Sequence, residues 1–325
     1  ACLLEGHFCF CSCLLCSATI FNDISPPNLT ISFMSINPHA IVHSLAHIGT
    51  DVEIGAFCVI ESGVVIGDGC RLESNVTIKQ GVVIGKENHF CTGTIIGGKP
   101  QHTAAKNGCG TVCIGNNNIF RENVTIHRAI KESDSTTIGH NNYLMVNAHV
   151  AHDCKVGNDN VLVNNVMLAG HVQVGNRVNL GGAVGVHQFC RIGSLAMVGG
   201  LARVIQDVPP FVTVDGLTGR ICGLNQIGLR RSGKTSEEIK ILKEIYRLVF
   251  RSSLTWKEIL KKLTDEYSIG PGAEMTQFLA ATKRGIVSER HCMNRTSLRI
   301  LDNDDDHTNT DNENNEIRTI RVNVG

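Results

Sequence analysis

Histidines gather in one part of this chain. Asn147-Ala-His-Val-Ala-His-Asp-Cys154 holds two imidazoles and a carboxylate within eight residues, and Ala169-Gly-His171 and Val186-His-Gln188 follow it. Imidazole titrates near neutral pH, so it can take and return a proton, and as a neutral ring it can also ligate zinc. Either chemistry needs a scaffold that brings residues twenty to forty positions apart onto one strip.

That scaffold is written as a six-residue period. Ile, Val or Leu returns at 138, 144, 150, 156, 162, 168, 174, 180, 186, 192, 198 and 204. The same beat runs from 36 to 96, with Phe90 as its one aromatic variant. Gly often follows, as in Ile54-Gly55, Ile84-Gly85 and Ile192-Gly193. A short fixed period held this long marks a solenoid in which each repeat buries its apolar residue against its neighbours. Helix and strand periods of 3.6 and 2 do not fit.

Two excursions interrupt the beat, an ejected loop near 98–112 (Gly97-Gly-Lys-Pro-Gln-His-Thr-Ala-Ala-Lys-Asn-Gly-Cys-Gly110) and a shorter one near 130–137. Solenoids accept insertions at corners, where loops reach solvent. Pro209-Pro210 removes two ladder donors, and the sheet is expected to stop there. Beyond 216 the spacing becomes helical. Apolar residues at 239, 242, 245, 246, 249 and 250 form a stripe, Thr255-Trp-Lys-Glu258 opens a second helix with a capping box, and Ala273 to Lys283 suggests a third. The expected organisation is an extension over 1–33, a solenoid over 34–215, a helical domain over 216–289 and a polar tail over 290–325. Met34 immediately precedes the first hexad and is read as the natural start, with an organelle-targeting or anchoring leader as the alternative reading of the segment before it. Within 1–33, Phe8-Cys-Phe-Cys-Ser-Cys-Leu-Leu-Cys16 is apolar but too short to span a bilayer, and the segment lacks the basic n-region of a secretory signal. The tail, with Asp302-Asn-Asp-Asp-Asp, cannot bury enough apolar surface to order itself.

Thirty basic and thirty acidic residues balance, which gives no strong field for nucleic acid or an anionic membrane. Of fourteen cysteines, five fall in the first sixteen residues and the other nine form no CxxC pair, so disulfide and zinc frameworks are weakly supported and a reducing compartment fits better.

Hexads of this kind resemble the left-handed parallel β-helix of the hexapeptide acyltransferases, and the resemblance implies three hexads per coil and a three-sided cross-section. On division by 18, His152, His171 and His187 leave remainders 8, 9 and 7, so they share one strip at about 5 Å per coil. More specific marks are Arg121-Glu-x-Val-Thr-Ile-His-Arg128, His149-Val-Ala-His-Asp-Cys154, Asn164-Asn165, Leu168-Ala-Gly-His-Val172, Val186-His-Gln-Phe-Cys190, Gln206-Asp-Val-Pro-Pro210 and Gly223-Leu-Asn-x-x-Gly-Leu-Arg-Arg231. From Ile36 to about Gly285 these are similar to the acyl-carrier-protein-dependent UDP-N-acetylglucosamine 3-O-acyltransferases, which start lipid A synthesis.

The resemblance implies transfer of a 3-hydroxyacyl group from an acyl-carrier-protein thioester to UDP-N-acetylglucosamine, in a cytoplasmic homotrimer with no cofactor, metal or stable membrane insertion. It makes His152 the general base, oriented by Asp153, and the Gly170 N–H the oxyanion donor. Gln101, His149, His171, His187 and Gln188 would line the substrate cleft, and Asn225 and Arg231 would hold the nucleotide. Gly200 would be the acyl-chain ruler, its missing side chain leaving room for a long donor. Three departures bear on the acceptor. The loop reads Gln101-His-Thr-Ala104 where the family carries Gln-Asp-x-Lys, with Lys99 or Lys106 as the available substitutes. Ser232 follows Arg231 in place of a second arginine, and Ile227 stands where a glutamate is common. An aminated sugar nucleotide is therefore an alternative acceptor, and N-acyl transfer in the same pathway an alternative reaction. From other classes stand a non-catalytic solenoid scaffold and a zinc site of the γ-carbonic anhydrase kind on His149, His152 and His171. The Asp-paired His152 beside Gly170 suits proton transfer better than ligation.

Overall fold

The computed structural model describes residues 35–103, 105 and 109–290. The extension over 1–33, Ala104, Lys106 and the acidic tail lie outside them. Between Ser35 and Leu224 run 28 short strands, most of two residues, arranged in sheets of 11, 9 and 8 strands. The first face begins at Ser35–Ile36, the second at Ile41–Val42 and the third at His47–Ile48. Successive strands belong to successive faces, and each pairs in parallel with the strand one coil later, as Ile36 does with Ile54 and Val150 with Leu168. Eighteen residues make a coil, so the chain forms the parallel β-helix expected from its hexads.

Why six residues make a side is visible in the corners. At 75, 123, 147, 153, 165, 171 and 189 the backbone is left-handed, with φ near +60°, and Asn, Asp or Gly fills many such places because they tolerate that region. Inside the coil, the residue on the beat is buried together with the one two positions before it. Ile54, Ile60, Ile66 and Leu72 are paired in this way with Val52, Cys58, Val64 and Cys70, all at most 2% exposed. The inner corner admits only small groups, which explains the cysteines. Cys58, Cys70 and Cys154 are buried, and their thiols donate to the carbonyls of Glu73, Gly85 and Ala169 on the next coil at 2.8–3.1 Å. Phe90 and Phe120 stack in the core with centroids 4.7 Å apart.

The excursions obey the coil register. Val82 pairs with Val112 and Thr111 with Ser135, thirty and twenty-four residues apart instead of eighteen, and below them Thr137 pairs with Lys155 in the normal register. Chain length is ejected without disturbing the stack.

The prolines do not stop every sheet. The second and third faces end there, but Val212–Val214 adds another parallel strand to the first face beside Met197–Val198, and Ile221–Leu224 turns back antiparallel on it. Pro209 and Pro210 stand at the corner before this strand, where no ladder N–H is required, so the pair bends the chain and the sheet resumes. Four α-helices follow: α1 (Gln226–Arg231), α2 (Ser236–Arg251), α3 (Trp256–Tyr267) and α4 (Ala273–Ala280). Thr235/Glu238 and Thr255/Glu258 are full capping boxes. The stripe of α2 buries Ile239, Leu242, Ile245, Tyr246 and Val249. The Arg191 guanidinium lies 4.0 Å over the Phe278 ring and ties α4 to the third face. Past α4 the chain returns across the end of the solenoid. Asp207, 1% exposed, accepts from Thr282 Oγ1 at 2.8 Å, and its backbone pairs with Gly285 and Val287.

Candidate active site

An open groove of about 690 Å³ runs along the second face, lined by Gln101, His149, His152, Met167, Val186, His187, Arg203 and Ile205 among others. Four of the expected site residues therefore meet there. The register explains how. Coils of eighteen put Gly170 and then Gln188 beside His152, and put His171 and then Phe189 beside Asp153.

His152 is 6% exposed, and its Nδ1 lies 2.8 Å from Asp153 Oδ2. The same oxygen accepts from the Ile130 N–H at 3.2 Å, and the Asp153 N–H donates to Thr136 Oγ1 at 2.8 Å. Two residues of the preceding coil thus hold Asp153, Ile130 at its carboxylate and Thr136 at its backbone. With Nδ1–H donating to it, the Nε2 lone pair of His152 is the one left to take a proton. His171 Nε2 stands 3.8 Å from Asp153 Oδ2, and its ring meets His152 edge-on with centroids 5.2 Å apart. Its other face stacks on Phe189 at 4.5 Å. Burial, against the pull of Asp153, holds the His171 pKa below its ordinary value, with the neighbouring imidazoles adding to the effect.

Gly170 is required where it stands. A Cβ there would come within 2.3 Å of His152 Cε1 and 2.6 Å of Nε2. Its N–H meets no acceptor among the described residues, which leaves that donor to solvent or a ligand.

Upstream along the groove, His149 Nδ1 lies 2.7 Å from Thr125 Oγ1, and its ring sits against His127 at 5.1 Å. Burial, then the neighbouring His127, lowers the His149 pKa to about 4, so the ring is neutral at physiological pH. His127 Nδ1 donates to the Lys99 carbonyl at 2.7 Å, which leaves its Nε2 as an acceptor. Burial lowers this pKa too. From the ejected loop, His102 brings its ring edge-on to His152 at 5.5 Å. His187 lies further along, its Nδ1 3.3 Å from the Arg284 guanidinium.

The other expected residues stand elsewhere. Asn225 and Arg231 line a separate groove of about 850 Å³ on the first face, with Arg177, Met197, Thr213, Ile227 and Ser232. Asn225 is the N-cap of α1: its Oδ1 accepts from the Gly228 N–H at 2.9 Å, and its Nδ2 donates to the Leu195 carbonyl at 2.8 Å. Gly200 occupies the corner between first and second faces, lining neither groove, where a Cβ would lie 3.1 Å from the Gly182 carbonyl. Gln188 is exposed at the corner beside Gly170. Phe189, Thr136, His127 and Arg284 were not singled out from the sequence. Two of them carry a signal, His127 within the Arg121–Arg128 motif and Phe189 one coil after His171.

Among the described residues, two clusters bring three metal-type donors within 4.8 Å, His152/Asp153/His171 and Glu73/His89/Cys91. In the second, Glu73 already accepts from His89 and Thr92, while burial and then the Glu73 and Glu122 charges push the Cys91 thiol up to about 11. In the first, the shared carboxylate oxygen is committed to His152 and Ile130.

A solenoid of hexapeptide repeats with an Asp-supported histidine at the wall of a groove defines a hexapeptide-repeat transferase. The hexapeptide transferase model matches residues 45–80 and 135–170, and the model described as "Udp N-acetylglucosamine O-acyltransferase; Domain 2" matches 207–287. The chain is 42% identical to the acyl-[acyl-carrier-protein]–UDP-N-acetylglucosamine O-acyltransferase of Halorhodospira halophila over 78% of its own length and 98% of that protein. It is 43% identical to the enzyme of the same name from Gloeothece citriformis, but that match spans only 65% of the relative's length and 55% of this chain. The solved Francisella novicida UDP-N-acetylglucosamine acyltransferase superposes with a TM-score of 0.75 at 40% identity, covering 79% of this chain and 95% of that one. The chain belongs to the acyl-[acyl-carrier-protein]–UDP-N-acetylglucosamine O-acyltransferase family.

Proposed function

We propose that this chain transfers a 3-hydroxyacyl group from an acyl-carrier-protein thioester to the 3-hydroxyl of UDP-N-acetylglucosamine, with His152 as general base. The observation that carries the reading is the buried His152–Asp153 pair at 2.8 Å, beside a glycine that admits no side chain against the ring.

In this mechanism the sugar hydroxyl gives its proton to His152 Nε2 as its oxygen bonds to the thioester carbon. Asp153 stabilises the imidazolium that forms, and the Gly170 N–H donates to the developing oxyanion. Collapse of the tetrahedral intermediate breaks the carbon–sulfur bond, and the departing thiolate takes the proton back from His152. The acyl ester and the carrier thiol result, with no net proton change on the protein. His127 and His149 offer neutral donors and acceptors to the sugar, and Gly200, which carries no side chain, is assigned to the end of a long acyl chain. Asn225 and Arg231 are assigned to the nucleotide. Because they line a different face from His152, the reading includes a symmetric trimer in which neighbouring subunits complete each site.

Product mass spectrometry with acyl-carrier thioesters of several lengths, UDP-N-acetylglucosamine and its 3-amino analogue tests the reading. The expected product is the 3-O-ester, with long chains preferred. An amide from the amino analogue alone would replace the acceptor, and equal turnover by His152→Ala would remove the base.

A further inference from the structure

Arg284 reaches the catalytic face from 97 residues beyond His187 in sequence. Its backbone belongs to the returning segment pinned on buried Asp207 through Thr282, Gly285 and Val287, so its place is set from both sides. Gly285 follows with φ +73°, and a Cβ there would press on Gln206 Nε2 at 3.2 Å, so the turn that aims Arg284 relies on glycine. The Nη2 atom lies 3.3 Å from both His187 Nδ1 and the Ile205 carbonyl, while Nε is buried with no partner. No carboxylate forms an ion pair with this guanidinium among the described residues.

His187 Nδ1 faces two neighbours with opposite demands. The Gln188 carbonyl, 3.1 Å away, can only accept, and the guanidinium can only donate. A proton on Nδ1 would point toward a permanent cation and strip that cation of one of its acceptors, whereas the exposed corner carbonyl of Gln188 has water as a substitute. We propose that Arg284 is a positioning residue that holds His187 as the neutral ring with Nδ1 unprotonated, so that Nε2–H, on the far side of the ring, is presented to the groove as a donor. Its ligand is then an oxygen acceptor of the sugar nucleotide, a phosphate or amide carbonyl oxygen, and not a hydroxyl proton. The tautomer stands on geometry alone; its role in acceptor binding rests on the acyl-transfer reading above.

Nitrogen-15 NMR of histidine-labelled protein tests the tautomer, with His187 assigned by the resonance lost in His187→Gln. The expected spectrum has an unprotonated Nδ1 and a protonated Nε2 in the native chain and in Arg284→Lys, and a shift toward the Nδ1–H form in Arg284→Met. A protonated Nδ1 in the native protein overturns the proposal, whether or not any variant folds. In steady-state kinetics Arg284→Met should raise KM for the UDP-sugar about tenfold, the worth of one hydrogen bond to an oxyanion, with kcat within about twofold. Arg284→Lys should recover most of the loss. An unchanged KM, or loss confined to kcat, removes the functional half. Absence of acyl transfer by the native chain would instead sink the proposed reaction and leave the NMR result standing.

Discussion

At Gly170 a single methyl group separates a working histidine from a displaced one. Alanine there would place Cβ 2.3 Å from His152 Cε1, and the ring, pinned by Asp153, has to move. Gly170→Ala should therefore lower kcat by about 100-fold, the usual result of misplacing a reacting group by about 1 Å, while overpacking costs about 1–3 kcal/mol of stability. Acyl-transfer kinetics beside urea unfolding checks both. His149 supplies a second expectation. Its folded pKa of about 4 lies below the 6.5 of an unfolded histidine, so between these values the unfolded chain binds more protons. Stability is then flat above about pH 6.5, falls as pH drops through that value, and levels off near pH 4. The depressed pKa values of His127 and His171 act in the same direction. Tm should be lower at pH 5 than at pH 7, and His149→Gln should flatten that slope. A slope unaffected by the substitution would assign it to other groups. At this scale the sequence was partly legible. The residue strip follows from counting eighteens, whereas the Thr136 and Ile130 contacts to Asp153 depend on where a six-residue excursion folds, and no period encodes that.

Among the elements, the corner before the first face holds a ladder of buried asparagines. Asn142 Nδ2 donates to Asn118 Oδ1 at 3.0 Å and to the Gly157 carbonyl at 2.9 Å, while its Oδ1 accepts from the Asn160 N–H at 3.0 Å. Asn88 and Asn118 repeat the pattern on the coils where the chain is interrupted, so the ladder joins the two halves of the solenoid across both excursions. It ends at Asn160, whose Oδ1 accepts from the Val178 N–H but whose Nδ2 is buried without a partner. Asn142→Ala orphans a carbonyl and an N–H and should cost about 2–4 kcal/mol, whereas Asn160→Ala also removes an unsatisfied donor and should cost about 1 kcal/mol. Urea midpoints at constant slope measure both, and equal losses would deny the ladder its role. The apolar beat revealed the coils, but it did not reveal this second buried beat, two residues earlier, where cysteine, valine, alanine and asparagine share one small space. The strands past the prolines were also missed. Pro209-Pro210 signals a stop only if the chain needs its amides there, and at a corner it does not. Likewise α1, six residues long, is too short for a periodic signal, although it carries Arg231.

At the scale of the whole molecule, the two grooves lie on different faces of one prism. His152 looks out from the second face and Arg231 from the first, with a corner of the solenoid between them. Neither groove contains both residues, and a neighbour packed in a three-fold ring would bring its own first face to this second face. Heterologous contacts of that kind close at three subunits and use each groove once. His152→Ala and Arg231→Ala would then damage opposite halves of each site. Each variant alone should be nearly inactive, yet co-expression in equal amounts should restore about a quarter of native activity, because a mixed trimer rebuilds one intact site in three and about three-quarters of random trimers are mixed. Sites contained within one chain would give no recovery, since every chain then carries a defect. Activity measured on co-purified, differently tagged mixtures, beside sedimentation to establish the subunit number, separates the two arrangements.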